Sequence, residues 1–228
     1  MPRQPYLPTF QHLNYAIGAF VLKDRPDFCA AIGKCIALWG QVDNEMGNLF
    51  SLLLGANSAP ALEVFLTLRR LSNQREALKA AAKHKLKDQD LRVFEAIQIV
   101  YTALEKERNS LAHGCFGISD DDRNVLYWID LKHHVQFQTE ALVKESQSGY
   151  SASDDRHAQL KENMFVYRLS DLETLYSQME EFWWAAFYFN CYLREPKHPA
   201  RIDDVARLSR FTQIARALSD LTAKFPKG

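Results

Sequence analysis

A chain of 228 residues, 47% hydrophobic and 25% charged, is long enough for one large globular domain or two small ones. Its 28 Lys and Arg balance 28 Asp and Glu, so the formal net charge is zero, which excludes nucleic-acid capture by a broad positive field and leaves only local basic clusters for phosphate contacts. Cys29, Cys35, Cys115 and Cys191 form no C-x-x-C pair and no zinc spacing, so reduced thiols of a cytoplasmic protein are expected, with no bound metal.

Residues 1–25 carry prolines at 2, 5 and 8 and no clear period, and read as an irregular N-terminal arm. Residues 26–228 read as a single helical domain with a β insertion at about 115–168. From Asp27, the positions Ile32, Cys35, Trp39, Val42, Met46, Leu49 and Leu53 alternate steps of three and four, one face of a helix ending near Gly55. Ser58 and Pro60 open a second helix with the stripe Val64, Leu68, Leu71 and Leu78, closed by the basic end Lys83 to Lys87. Asp88 and Asp90 open a third, with Ile97, Leu104 and Leu111 down its centre and Phe94 and Tyr101 beside them. Short links predict antiparallel neighbours.

After Gly114 the period changes. Cys115 to Ile118, an Asp-rich turn over 119–124, and Val125 to Leu131 predict a β-hairpin, to which Phe165-Val166-Tyr167 adds a third strand. His133 and His134 fall on the extended run as neighbours, so they face opposite sides and share no metal. Residues 138–162 are polar and predict a loop. Ser170-x-x-Glu173 is a capping-box pattern opening a fourth long helix that Pro196 ends. A last helix carries Phe211, Ile214, Leu218 and Leu221. The expected fold class is mainly α, an up-down helical bundle with a small antiparallel hairpin or three-stranded insertion.

The aromatic run from Phe182 to Leu193 is the most apolar stretch, but Glu181 and Arg194 bound it at about twelve residues, well short of the roughly twenty that span a bilayer. It predicts a buried helix and the best candidate homodimer surface, with no membrane partner. Asp120-Asp121-Asp122 reads as a solvated turn, since a calcium loop's alternating ligands are absent. No glycine-rich phosphate loop, dinucleotide fingerprint or nucleophile elbow occurs, and no cofactor is expected.

One stretch carries chemistry. Arg108-Asn109-Ser110-Leu111-Ala112-His113-Gly114 closes the third helix with a guanidinium, an amide and an imidazole. An arginine can hold a phosphate through a fixed fork of donors, and a histidine can exchange protons near neutral pH. At about 100° per residue, Asn109 and His113 lie only about 40° apart and away from the central apolar stripe, while Arg108 stands about 60° from that stripe. The bare Arg-to-His spacing arises by chance roughly 0.5 times in a chain of this composition. Asn109, Gly114 and the helix-end position add the weight. A His-Gly pair is also an ordinary helix stop, the glycine taking the left-handed position. Glu45, which interrupts an apolar line on the first helix, is a supporting residue placed to pair with Arg108 or to reach solvent. Arg207 and Arg210, with Arg201 and Arg216, form the most basic strip of the last helix, a candidate substrate-binding surface.

The R-N-x-x-x-H pattern resembles the signature of the HEPN superfamily, all-helical domains whose best-known members are metal-independent ribonucleases. The resemblance covers residues 27–114 and the helix from 170. It implies a homodimer in which two motifs meet at one cleft and the RNA's own 2′-hydroxyl attacks, leaving a 2′,3′-cyclic phosphate. His113 is then the general acid or base, Arg108 stabilises charge on phosphorus, and Asn109 is a positioning residue. Family analogy suggests a toxin or defence effector, with an antitoxin protein as partner. The alternatives are a non-catalytic helical interaction or nucleotide-binding module, and a structural homodimer in which the cluster braces a helix end.

Overall fold

The longest amphipathic stretches fold as their spacing predicts. The structure, a computed structural model, describes residues 4–5, 15–18, 20–55, 58–68, 71–147, 162–195 and 206–224. Helix α1 spans Pro26–Leu54, starting on a proline whose missing N–H costs nothing at a first helical position. It stops at Gly55, whose φ of 64° is the left-handed value that closes many helices. Cys35, Trp39, Val42, Met46, Leu49 and Leu53 are buried along one face. Helix α4, Asp88–His113, buries Ile97, Leu104 and Leu111 as its pattern requires.

Between them the expected single helix is two, α2 over Ser58–Thr67 and α3 over Leu71–Lys85. Ala61 and Phe65, not Val64, are the buried residues of α2, and Val64 is 55% exposed. At the break the Phe65 carbonyl accepts twice, from the Leu68 N–H at 3.2 Å and from the Gln74 Nε2 at 3.2 Å, which satisfies one of the carbonyls that a helix end leaves open.

Among the described residues the sheet has five strands: β1 Gln4–Pro5, β2 Tyr15–Ile17, β3 Gly114–Ser119, β4 Val125–Asp130 and β5 Met164–Arg168. Their spatial order is β1-β5-β4-β3-β2, with every neighbouring pair antiparallel. The hairpin and third strand stand where the sequence pattern places them. The N-terminal segment, expected to be irregular, instead supplies both edge strands. Two- and three-residue edges are held by main-chain hydrogen bonds and so leave no side-chain period to read. Val125 to Ile129 are all buried, as a central strand covered on both faces should be.

Val125, Tyr127, Ile129 and Met164 form a cluster on one face of the sheet, against which Phe137 packs. Phe137 belongs to α5, Leu131–Gln147, where the sequence predicts more strand and then a loop. The helix starts because the Asp130 carboxylate accepts from the Lys132 N–H at 2.9 Å, an N-cap bond. His133 and His134 are therefore successive helix residues, not strand neighbours; burial lowers the pKa of His134. The rest of the expected loop, 148–161, lies outside the described residues.

Helix α6 spans Leu169–Arg194 and ends two residues before Pro196. Its cap is shifted from the expected Ser170. The Asp171 carboxylate accepts from the Arg168 N–H at 2.7 Å, and Ser170 already lies inside the helix. Helix α7 spans Thr212–Lys224.

The fold is mainly α-helical with a small antiparallel sheet. The chain divides into two compact units, Met1–Ile36 with Glu107–Tyr176, and Ala37–Lys106 with Ser177–Gly228, the division falling within α1, α4 and α6. In the first, Arg25 is buried and its Nη2 donates to the Ser119 carbonyl at 2.8 Å, tying the start of α1 to the end of β3. In the second, Trp39 stacks on Tyr101 at 5.4 Å and Tyr101 on Phe182 at 6.0 Å, while the Tyr101 hydroxyl donates to Asp43 at 3.1 Å. Arg75 and Glu105 pair at 2.8 Å between α3 and α4. Trp39 is core, as its place on the apolar stripe requires. No described helix is long and apolar enough to cross a membrane.

Candidate active site

Arg108, Asn109 and His113 occupy the last turn and a half of α4, within the first unit. Arg108 and Asn109 are half-buried and His113, the final helical residue, is exposed. The Arg108 Nη1 donates to the Asn109 Oδ1 at 2.9 Å. Residues 109 and 113 stand one turn apart, so the amide that holds the guanidinium shares a side of the helix with His113. Among the described residues, no hydrogen bond or ion pair engages the His113 ring.

The helix end is fixed by a residue that sequence reasoning passes over. Trp128 on β4 donates its indole N–H to the Ser110 carbonyl at 2.8 Å, and its ring meets Phe165 edge-on at 5.8 Å. The same indole explains Gly114. A Cβ at that position would overlap Trp128, whereas the left-handed conformation expected of a helix-stopping glycine occurs only at Gly55 among the described glycines. Gly114 begins β3 and pairs with Asp130. The glycine after the histidine is thus required by close packing, not by a helix cap. Glu107, on the same turn, carries no sequence signal: among the described residues its Oε2 is closed off from solvent without a hydrogen-bond partner.

The other expected residues lie in the second unit. Glu45 is buried, and its carboxylate accepts from Asn190 Nδ2 at 2.8 Å, with the same nitrogen donating to the Glu45 carbonyl at 2.9 Å. It does not reach solvent. Arg207 and Arg210 are exposed and precede α7: Arg207 lies in a short helical segment and Arg210 in the turn that follows it, where the Arg210 N–H donates to the Arg207 carbonyl at 2.9 Å. The Arg207 guanidinium lies over the Tyr188 ring, 5.4 Å from its centroid, a cation–π contact that holds the charge at the surface. Arg201 lies outside the described residues.

Among the described residues no group of three or more His, Cys, Asp or Glu side chains is arranged to hold a metal ion. Comparison with protein-family models, with curated proteins and with solved structures finds no match for this chain.

Proposed function

We propose that the protein is a metal-independent endoribonuclease of HEPN type, which cleaves single-stranded RNA through attack by the 2′-hydroxyl. The observation that supports this reading is the state of the motif at the end of α4: a guanidinium held by its neighbouring amide, and one turn on from that amide an exposed imidazole that no described residue engages. In a purely structural helix end that imidazole would be expected to hold a carbonyl or a carboxylate.

In the proposed reaction His113 accepts the 2′-hydroxyl proton or protonates the leaving 5′-oxygen. Arg108 offers its fork to the phosphorane oxygens, and Asn109 keeps the fork aimed. One motif supplies a single titratable ring, so pairing of two copies would supply both the base and the acid. By family analogy the protein acts in the cytoplasm as a toxin or defence effector opposed by an antitoxin protein. The test is chemical: in excess chelator, an RNA oligonucleotide should be cut to 2′,3′-cyclic phosphate ends. A substrate with 2′-deoxyribose at the cut site should stay intact. Cutting of the deoxy substrate, or loss of all cutting on chelation, contradicts the proposal.

A further inference from the structure

The second unit holds a cleft of about 510 Å³, within the range of small-molecule sites. Phe94 and Ile99 of α4 and Leu221 of α7 supply apolar walls. Ile99 is 48% exposed, unusual for a residue on a helix so largely buried. Lys79 and Lys83 of α3 stand one turn apart on the lining, so their ammonium groups can converge on one anion. Glu95 also lines the cleft, leaving one net positive charge. Among the described residues neither lysine is in an ion pair.

The decisive residue is Gln98. It lines the cleft and is only 5% exposed, yet neither its Oε1 nor its Nε2 has a hydrogen-bond partner. The nearby Thr102 hydroxyl is turned to the Gln98 main-chain carbonyl at 2.8 Å, not to the amide. A buried amide with donor and acceptor both unmet destabilises the free protein, and a leucine of similar size would fit α4 without that penalty. Both amide atoms are closed off from solvent in the free protein, so a ligand in the cleft reaches them only when the side chain turns about its own torsions.

We propose that this cleft binds a small flat ring compound that carries an anionic group and a lactam-like edge with adjacent donor and acceptor. The ring packs against Phe94, Ile99 and Leu221, the anion meets Lys79 and Lys83, and the edge pairs with the Gln98 amide. This site is independent of the ribonuclease reading, because it uses none of the motif residues.

Isothermal titration of the full chain with 2-quinolone-4-carboxylate, its N-methyl derivative and its methyl ester separates the three contacts. The acid should bind saturably, and blocking the edge or removing the charge should each weaken binding about tenfold. Gln98→Leu should melt no lower than wild type and bind acid and N-methyl derivative alike. Lys79→Ala combined with Lys83→Ala should erase the gap between acid and ester. No binding by wild type up to about 1 mM, equal affinity of wild type and Gln98→Leu for the acid, or a lowered melting temperature for Gln98→Leu overturns the proposal.

Discussion

Trp128 and Gly114 occupy one space: the indole lies where a side chain on residue 114 would stand, and its N–H holds the Ser110 carbonyl at 2.8 Å. The catalytic candidates Arg108, Asn109 and His113 bracket that carbonyl. The central strand β4 thereby fixes how the motif helix ends, and the chain leaves α4 directly into β3 with no loop between.

Gly114→Ala should therefore lower stability by about 1–3 kcal/mol through overpacking, and Trp128→Phe by about 1 kcal/mol through the lost hydrogen bond. Because the two changes act in one space, the double variant should cost less than their sum. Urea unfolding measures all three. A Gly114→Ala protein that unfolds at the wild-type midpoint would show that the close approach does not exist.

The start of α6 gives a sharper local test. Asp171→Ala removes the carboxylate that caps the Arg168 N–H and should cost on the order of 1 kcal/mol. Ser170→Ala, one turn position inside the helix, should be close to neutral. Equal losses at both positions would restore the cap to Ser170.

What could be read in advance follows from where periodicity is strong. In α1, α4 and the β3–β4 hairpin, long apolar stripes or an Asp-rich turn between branched runs leave little choice. The edge strands at Gln4–Pro5 and Tyr15–Ile17 were hidden because two or three residues carry no period. The break between α2 and α3 was hidden because Leu68 and Leu71 keep helical spacing across it, while the stopping signal is a side chain nine residues downstream. Helix α5 did announce itself, through Asp130 as an N-cap and the pair Gln136 and Glu140 one turn apart at 2.9 Å, but Val125 to Leu131 reads more strongly as strand. At the site, the identities of Arg108, Asn109 and His113 were legible. Trp128 was not, because its contact to Ser110 crosses eighteen positions of chain and exists only once the hairpin folds back.

The cysteines should differ in reactivity. Cys29 is exposed, whereas Cys35 is fully buried and burial pushes its thiol up to about 11. Thiolate is the reacting form, so a raised value means little of it at pH 8. Iodoacetamide with intact protein should modify Cys29 and leave Cys35 untouched until urea unfolds the chain, as peptide mass mapping would show. Comparable labelling of both in the native state would contradict the burial.

The composite-site mechanism needs two chains. Sedimentation at micromolar concentration should give about twice the chain mass of 26.3 kDa. A monomer at concentrations where RNA is still cleaved would remove the paired site while leaving the single motif in play.

The most direct measurement compares wild type and His113→Ala on single-stranded RNA in excess chelator, with circular dichroism confirming that both are folded. His113 is exposed at the end of α4, so its removal should leave the fold intact. The cleavage rate should fall about 10²- to 10⁴-fold, the usual worth of a positioned acid or base. Arg108→Lys should also fall, because a point charge does not reproduce the guanidinium fork. Wild type that cuts no RNA, or His113→Ala that cuts at the wild-type rate, would contradict the account and leave the Arg-Asn-His cluster as a helix end.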